Sequence, residues 1–294
     1  MRMAILPNDS LIKPLVWVTG ANGLIGNYLV QTAPRFGPHW KIRALTRAGF
    51  DLLDFIAVER EFKKDQPQLI IHCAAISIVA DAQKNPSLAQ RVNIGITKFL
   101  TDLAAGIQFV FFSTDLIFDG QKGDYVETDS PNPLHVYGET KAAAEQIILR
   151  NPRHLVLRTS INGGVSKSGN RSFNEQFRRT LQSGQGMTLF MDEFRSPIFA
   201  GETARAVWEL VEKKAAGIFH VAGAEKLSRF KIGKLLVSRW PEIKTQILSG
   251  SAKDFSGPPR ALDTSLNISK VQKFLSKPLP GFSDWLAENP DEPI

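Results

Sequence analysis

One junction near the start of the chain restricts its possible folds more than anything else in it. An apolar run at residues 15–18 leads directly into T-G-A-N-G-L-I-G, Thr19 to Gly26, and a helix-like segment follows over residues 24–33. Strand, glycine turn and helix form the order that a dinucleotide-binding loop requires. Gly20 would allow the tight turn, and Gly23 would let backbone approach a pyrophosphate. Gly26 would let the helix pack closely on the sheet, with its N-terminus facing the phosphate charge. The spacing is G-x-x-G-x-x-G rather than G-x-G-x-x-G, and such a turn without partner motifs is weak evidence alone.

The chain beyond it supplies the partners. A second strand, residues 41–45, ends in Thr46–Arg47. NAD-selective sites carry an acid near this strand end to hold the ribose 2′-hydroxyl. Here Arg47 stands there, with Arg43 nearby, and a guanidinium can pair bidentately with a 2′-phosphate. The expected cofactor is therefore NADPH, with NADH left open; the competing reading of Arg47 is a solvated surface charge. Asp54 is an expected N-cap for a helix reaching residue 64, leaving Asp51 free to meet an adenine. A buried strand at residues 69–73 precedes Ala74, Ala75 and Ile76, small or apolar residues over which a cofactor can lie close to backbone. Asn85-Pro86-Ser87 opens a long helix carrying Asn93 and ending by Gly106.

Alternating strands and helices with short apolar strands imply a parallel sheet covered on both faces. The expected fold is α/β, a Rossmann-type doubly wound parallel sheet with a small C-terminal substrate lobe. The expected division is an N-terminal extension at 1–14, a dinucleotide-binding domain at 15–160, and a lobe at 161–294 interleaved with sheet-completing elements. Within that last part, residues 192–199 read as a loop, 203–214 and 229–239 as helices, and 217–221 as a strand.

The chemistry concentrates between residues 111 and 141, reading FFSTDLIFDGQKGDYVETDSPNPLHVYGETK. A strand over 107–112 delivers the hydroxyls of Ser113 and Thr114 to its tip. Tyr137 and Lys141 are four apart on a helix, hence on one side and one turn apart. An ammonium beside a phenol favours the phenolate, so the expectation is a tyrosine pKa lowered toward working pH. Such a tyrosine can exchange a proton with a carbonyl or alcohol oxygen, while the strand-tip hydroxyl bonds the same oxygen. Y-x-x-x-K also occurs by chance, with the tyrosine packed on a core and the lysine solvated. His135, close by, is a substrate contact or a loop residue without a role.

Composition narrows the remaining classes. The net charge of +7 suits anionic small molecules, yet lysine and arginine are scattered without a long basic run, so nucleic acid is not an expected partner. A single cysteine, Cys73, excludes an internal disulfide and a multi-cysteine metal site. The histidines lack ligand spacing, and no metal is expected. No apolar run of about 18 residues occurs, so neither a membrane span nor a leader is expected, and the expected location is the cytoplasm.

With these residues assembled, the chain resembles the extended short-chain dehydrogenase/reductase family, in its dTDP-4-dehydrorhamnose reductase branch. The matching pieces are GANGLIG, the Asp51 turn, HCAAISIVADAQKNP, VNIG, STDLIFDG, ETDSPNPLHVYGETKAAAEQ, LRTS, DEFRSPIF and GIFHVAGAEKLS. The resemblance implies a catalytic set of Thr114, Tyr137 and Lys141, with Tyr137 as acid and Lys141 lowering its pKa while bonding the nicotinamide ribose. It implies cofactor binding by Gly20, Asn22, Gly23, Leu24, Ile25, Gly26, Asp51, Leu52, Ala74, Ala75 and Ile76, besides Arg47, Tyr137 and Lys141. It implies substrate contacts at Val79, Thr114, Asp115 and Ile161. The implied reaction is NADPH-dependent reduction of a nucleotide-linked 4-keto-6-deoxysugar; the oligomeric state is left open, a homodimer included. Related dehydratases carry T-D-E at the strand tip; here Leu116 replaces the glutamate, which disfavours dehydration. Ile161 stands where the branch usually has tryptophan, which leaves the sugar open. Two alternatives remain: a nucleotide-sugar epimerase, and an NADP-binding regulatory subunit similar to the beta subunit of methionine adenosyltransferase.

Overall fold

The computed structural model describes residues 13–257 and 259–294, so most of the expected N-terminal extension lies outside the described residues. The first half runs β1 (Leu15–Thr19), α1 (Leu24–Phe36), β2 (Lys41–Leu45), α2 (Phe55–Asp65), β3 (Leu69–His72), α3 (Val79–Lys84), α4 (Pro86–Gln90), α5 (Thr97–Leu103), β4 (Gln108–Thr114), α6 (Val136–Ile148) and β5 (Leu155–Thr159). The second half runs β6 (Asn162–Gly163), α7 (Phe173–Gln182), β7 (Met187–Phe190), β8 (Phe194–Arg195), β9 (Ile198–Phe199), α8 (Ala200–Glu212), β10 (Gly217–Val221), β11 (Leu227–Ser228), α9 (Arg229–Val237), β12 (Ile247–Gly250), α10 (Ser269–Gln272) and α11 (Phe282–Glu288).

Six strands form one parallel sheet in the order β2–β1–β3–β4–β5–β10. The period-two geometry of its strands sorts their apolar residues onto two faces. Val16, Val18, Ile71, Val110 and Leu157 meet Leu29 of α1 and Trp208 of α8 on one face. Trp17, Ile70, Phe109, Phe111 and Val156 meet Val58 of α2, Leu100 of α5 and Ile148 of α6 on the other. Both faces are thereby dry, as the continuous apolar strands require. Each fully buried large side chain contributes about 1.5–3 kcal/mol. Trp208 also donates its indole N–H to the Leu29 carbonyl at 3.2 Å, fastening α8 to α1.

The helix starts follow their local chemistry. Asp54 caps α2, its carboxylate accepting from the Ala57 N–H at 3.0 Å. Asn85 caps α4, accepting from the Leu88 N–H at 3.1 Å, with Pro86 in the first turn. The expected long helix then passes from α4 to α5 through a π-helical turn, Arg91–Ile96. A short additional helix, α3, precedes it.

The second half divides its elements. α8 and β10 belong to the sheet body, whereas Phe177, Leu181, Leu189, Ile232, Leu236, Trp240 and Phe282 form a hydrophobic cluster of their own. Phe199, immediately before α8, stacks on Phe282 at 5.1 Å within that cluster. The stretch 192–199 is not the featureless loop its composition suggests. β8 pairs with β11 and β9 with β6, so distant partners make strands of it. Its backbone hydrogen bonds are satisfied from outside the segment, which local composition does not register.

Candidate active site

β1 has β2 on one side and β3 on the other, so the chain direction of assembly reverses there. In open α/β sheets the crevice at the carboxyl ends of such a pair is where ligands bind. Thr19 ties the two strand tips together. Its hydroxyl bonds the His72 ring Nδ1 at 2.7 Å and accepts from the N–H groups of Cys73 and Ala74 at 3.2 and 3.3 Å. Gly20 then turns with φ +65°, and a Cβ there would lie 2.7 Å from the Ala74 nitrogen. A Cβ on Gly26 would run into the Gly20 carbonyl. The glycines therefore do what their spacing suggests: one makes the turn, and one lets α1 close on it. α1 begins at Gly23 with neither a side-chain cap nor an acid in its first turn, leaving its N–H groups for an anion. Leu24 is buried and Ile25 packs into the core, so these two offer backbone rather than side chain. Asn22 is exposed at the turn.

Arg47 is exposed just beyond β2 and has no ion pair among the described residues. Arg43 is committed elsewhere, bonded to Glu61 at 2.8 Å and to Asp65. Asp51 is also exposed, capping its own turn through the Leu53 N–H at 3.0 Å. Leu52 packs against the core. Ala74, Ala75 and Ile76 form the half-buried rim after β3. Asn93, which the π-helical turn brings inward, fixes that rim. It accepts from the Ile76 N–H at 2.8 Å and donates to the Ile76 carbonyl at 3.1 Å and the Thr140 hydroxyl at 3.0 Å. Asn93 lies in VNIG and Thr19 opens the glycine turn, yet no motif spacing announces the bonds either one makes; the π turn is the structural signal that accompanies such sites.

Tyr137 and Lys141 lie on the buried side of α6, one turn apart as expected. Gly138 lets the helix reach the strand tip, since a Cβ there would strike the Leu116 carbonyl and lie 2.8 Å from Pro133 Cβ. Tyr137 forms a small cluster with Ala82 and Ala89, against which Ile76, Val79, Leu116 and Val136 pack. The expected electrostatics are reversed. Burial pushes the Tyr137 phenol up to about 12, with hydrogen bonding to Thr114 pulling down and the charge of Asp115 pushing up. Burial also brings Lys141 down to about 7, opposed by Glu145 and Cys73. Desolvation disfavours both charged forms and dominates at each group. Lys141 Nζ sits 3.8 Å from the centre of the Phe111 ring.

Thr114 is buried at the strand tip, donating to Asp115 at 3.2 Å and accepting from the Leu116 N–H at 3.2 Å. The neighbouring Ser113 hydroxyl is sealed without a partner, so Thr114 is the hydroxyl that reaches the tyrosine. Asp115 is buried too. Its second oxygen accepts from Ser160 at 2.8 Å and Thr264 at 2.9 Å, and Arg195 lies 3.9 Å away. Burial raises its pKa. Its carboxylate is thus engaged from within and organises the tip. Ile161 is half-buried and packs against the cluster around Phe177 and Phe282, while its carbonyl accepts from the Ile198 N–H at 3.1 Å. His135 occupies the N-cap position of α6 without a side-chain cap bond, and burial lowers its pKa, helped by the charges of Arg260 and Arg195.

Glycine turn, switch point and tyrosine–lysine helix define a Rossmann-type protein of the short-chain dehydrogenase/reductase kind. The chain belongs to the RmlD substrate binding domain family, whose model matches residues 15–292. It is 31% identical over 290 residues to a probable low-salt glycan biosynthesis reductase of Haloferax volcanii, covering 92% of this chain and 95% of that one. It is 28% identical to a dTDP-4-dehydrorhamnose reductase of Sinorhizobium fredii (91% and 93% covered), and 27% identical to methionine adenosyltransferase 2 subunit beta of Xenopus laevis (87% and 81%). Among solved structures, a Bacillus anthracis dTDP-4-dehydrorhamnose reductase in complex with NADP superposes with a TM-score of 0.84 at 24% identity, covering 94% of this chain and 98% of that one. Among the described residues no helix is long and apolar enough to cross a membrane, and no cluster of ligating side chains is arranged for a metal ion.

Proposed function

We propose that the protein is an NADPH-dependent reductase of a nucleotide-linked 4-keto-6-deoxysugar. The observation that carries this is the buried set of Tyr137, Thr114 and Lys141 at the carboxyl edge of the sheet, beside a glycine turn with room for backbone contact only. The residues present fit a dinucleotide. Gly20 and Gly23 would cradle the pyrophosphate with the first turn of α1, Arg47 would meet the 2′-phosphate, and Ala74 to Ile76 would flank it. When bound, the cofactor supplies the hydride to the sugar C4. Tyr137, which burial keeps protonated at neutral pH, gives its proton to the O4 oxygen as negative charge develops there. Thr114 would orient that oxygen, and Lys141 would bond the ribose and offset the charge left on Tyr137. A 4-epimerase is disfavoured by Arg47 standing where an NAD-holding acid would be.

The relatives named for these activities support the assignment: one is a probable glycan biosynthesis reductase, another a dTDP-4-dehydrorhamnose reductase. The same reading is consistent with a cytoplasmic protein and leaves a homodimer open. Following NADPH consumption across nucleotide-linked 4-keto-6-deoxysugars would name the substrate; saturable NADPH binding without turnover on any of them would contradict the reading. The second reading, an NADP-binding regulatory subunit, draws on the methionine adenosyltransferase beta relative. A stoichiometric enzyme partner in a pull-down would favour it.

A further inference from the structure

Lys141 does not stand alone inside the protein. One turn further along the buried side of α6 is Glu145, fully buried, with relative exposure 0% against 3% for Lys141. Arg158 of β5, itself buried, grips Glu145 from the sheet: its Nε donates to the two carboxylate oxygens at 3.1 and 3.2 Å, and an Nη donates at 2.8 Å. Arg158 is held in turn by the Glu127 carbonyl at 3.2 Å and lies over the Phe118 ring at 5.2 Å. Helix and sheet are thus cross-linked directly behind the tyrosine–lysine pair by a charged group that the active-site motif does not contain.

We propose that Glu145, fixed by Arg158, is the counter-ion that holds the Lys141 ammonium in its working place, a positioning residue that acts through the lysine. The other groups facing Lys141 do not supply a negative charge. From α6 itself Tyr137 is protonated, because burial raises it to about 12. On the loop after β3, burial raises the Cys73 thiol far above neutrality. On β3, His72 is neutral, lowered to about 3 by burial and by Lys141. From β4 comes only the Phe111 ring. Glu145 is the carboxylate that raises the lysine against its burial. Arg158 fixes that carboxylate one turn from the lysine, where its charge offsets the burial of the ammonium while Lys141 stays outside the Arg158–Glu145 ion pair.

This inference rests on the reductase reading, and its test separates the two. Reduction that needs a charged Lys141 falls away as pH rises through the lysine pKa, near 7 here. Replacing Glu145→Gln removes the counter-ion, so the basic limb of kcat/KM should move down by about one pH unit. Glu145→Asp, which keeps the charge, should restore much of the limb. Since Glu145→Gln strands a buried guanidinium and can cost the fold, the same profile is taken on Glu145→Gln with Arg158→Met, which removes the pair together. That double variant should show a downward shift smaller than the single one, because a repelling guanidinium leaves together with the carboxylate. A folded variant with an unmoved limb, or with activity lowered equally at every pH, would overturn the assignment. If the wild type turns over no sugar, the reductase reading fails, and the lysine is then titrated directly by NMR of 13C-lysine-labelled protein, with Lys141 assigned by its loss in Lys141→Met. A lowered Lys141 pKa in the double variant upholds the role of Glu145; an unchanged one refutes it.

Discussion

Two arginines lie on the second strand and its exit, and only one of them is available to a 2′-phosphate. Arg43 is bonded to Glu61 and Asp65 and lies over the rings of Trp17 and Phe50 at 5.6 and 5.8 Å. Arg47 is exposed, without an ion pair among the described residues. Arg47→Ala therefore removes the charge that would distinguish NADPH from NADH and disturbs nothing else. A hydrogen bond to a charged group contributes about 1.5–3 kcal/mol, which converts to roughly 10- to 150-fold in Kd. The exposed setting favours the lower end of that range, because solvent and salt screen the pair. Titrating both cofactors by fluorescence should show NADPH weakened about tenfold or more and NADH unchanged, with the NADPH loss shrinking at high salt. Arg43→Ala is the contrasting control: it should lower the melting temperature while leaving the ratio of the two affinities alone. Equal weakening of NADPH and NADH by Arg47→Ala, or a change of selectivity from Arg43→Ala alone, would refute the reasoning.

Three further outcomes are expected. Gly20→Ala forces a side chain into a backbone conformation at φ +65° and against the Ala74 nitrogen, so dinucleotide binding should fall at least tenfold in a protein that still folds; retained affinity by calorimetry would deny the close approach. Asn93→Ala frees the Ile76 backbone and the Thr140 hydroxyl, so it should cost about 1–3 kcal/mol in denaturant unfolding and weaken cofactor binding; loss of neither would make the anchor idle. His72 and His220 are each held neutral with pKa values lowered to about 3 by burial. Since the unfolded chain takes up those protons near pH 6.5, their contribution to stability is present above that pH and is lost as pH falls toward 3. The loss approaches about 1.4 kcal/mol per histidine per pH unit. A melting temperature that held constant or rose between pH 7 and 5 would contradict it.

What could be read from the chain was whatever is local. β2 and β10 occupy the spans their apolar patterns mark, and the Asp54 and Asn85 caps act on the residues three places on. The glycine turn and the Tyr137–Lys141 spacing survive because helix periodicity and turn sterics are short-range. The misses are long-range. Asp115 is satisfied partly by Thr264, 149 residues away, and no spacing rule announces that. β8 and β9 exist only because β11 and β6 arrive beside them. The direction of the Tyr137 pKa depends on how deeply α6 is packed, and Y-x-x-x-K states the separation of two groups without their solvation. Lys141 answers to Glu145 because Arg158 reaches across from another element, and sequence order alone does not reveal that contact.

The central claim is that Tyr137 delivers a proton during NADPH-dependent reduction. Single-turnover oxidation of bound NADPH by a nucleotide-linked 4-keto-6-deoxysugar, compared between the wild type and Tyr137→Phe, tests it most directly. The expected result is a rate lowered by about 10²–10⁴ in the variant with NADPH affinity essentially unchanged. Equal rates in the two proteins, or an NADPH affinity that collapses with the phenol's removal, would contradict it.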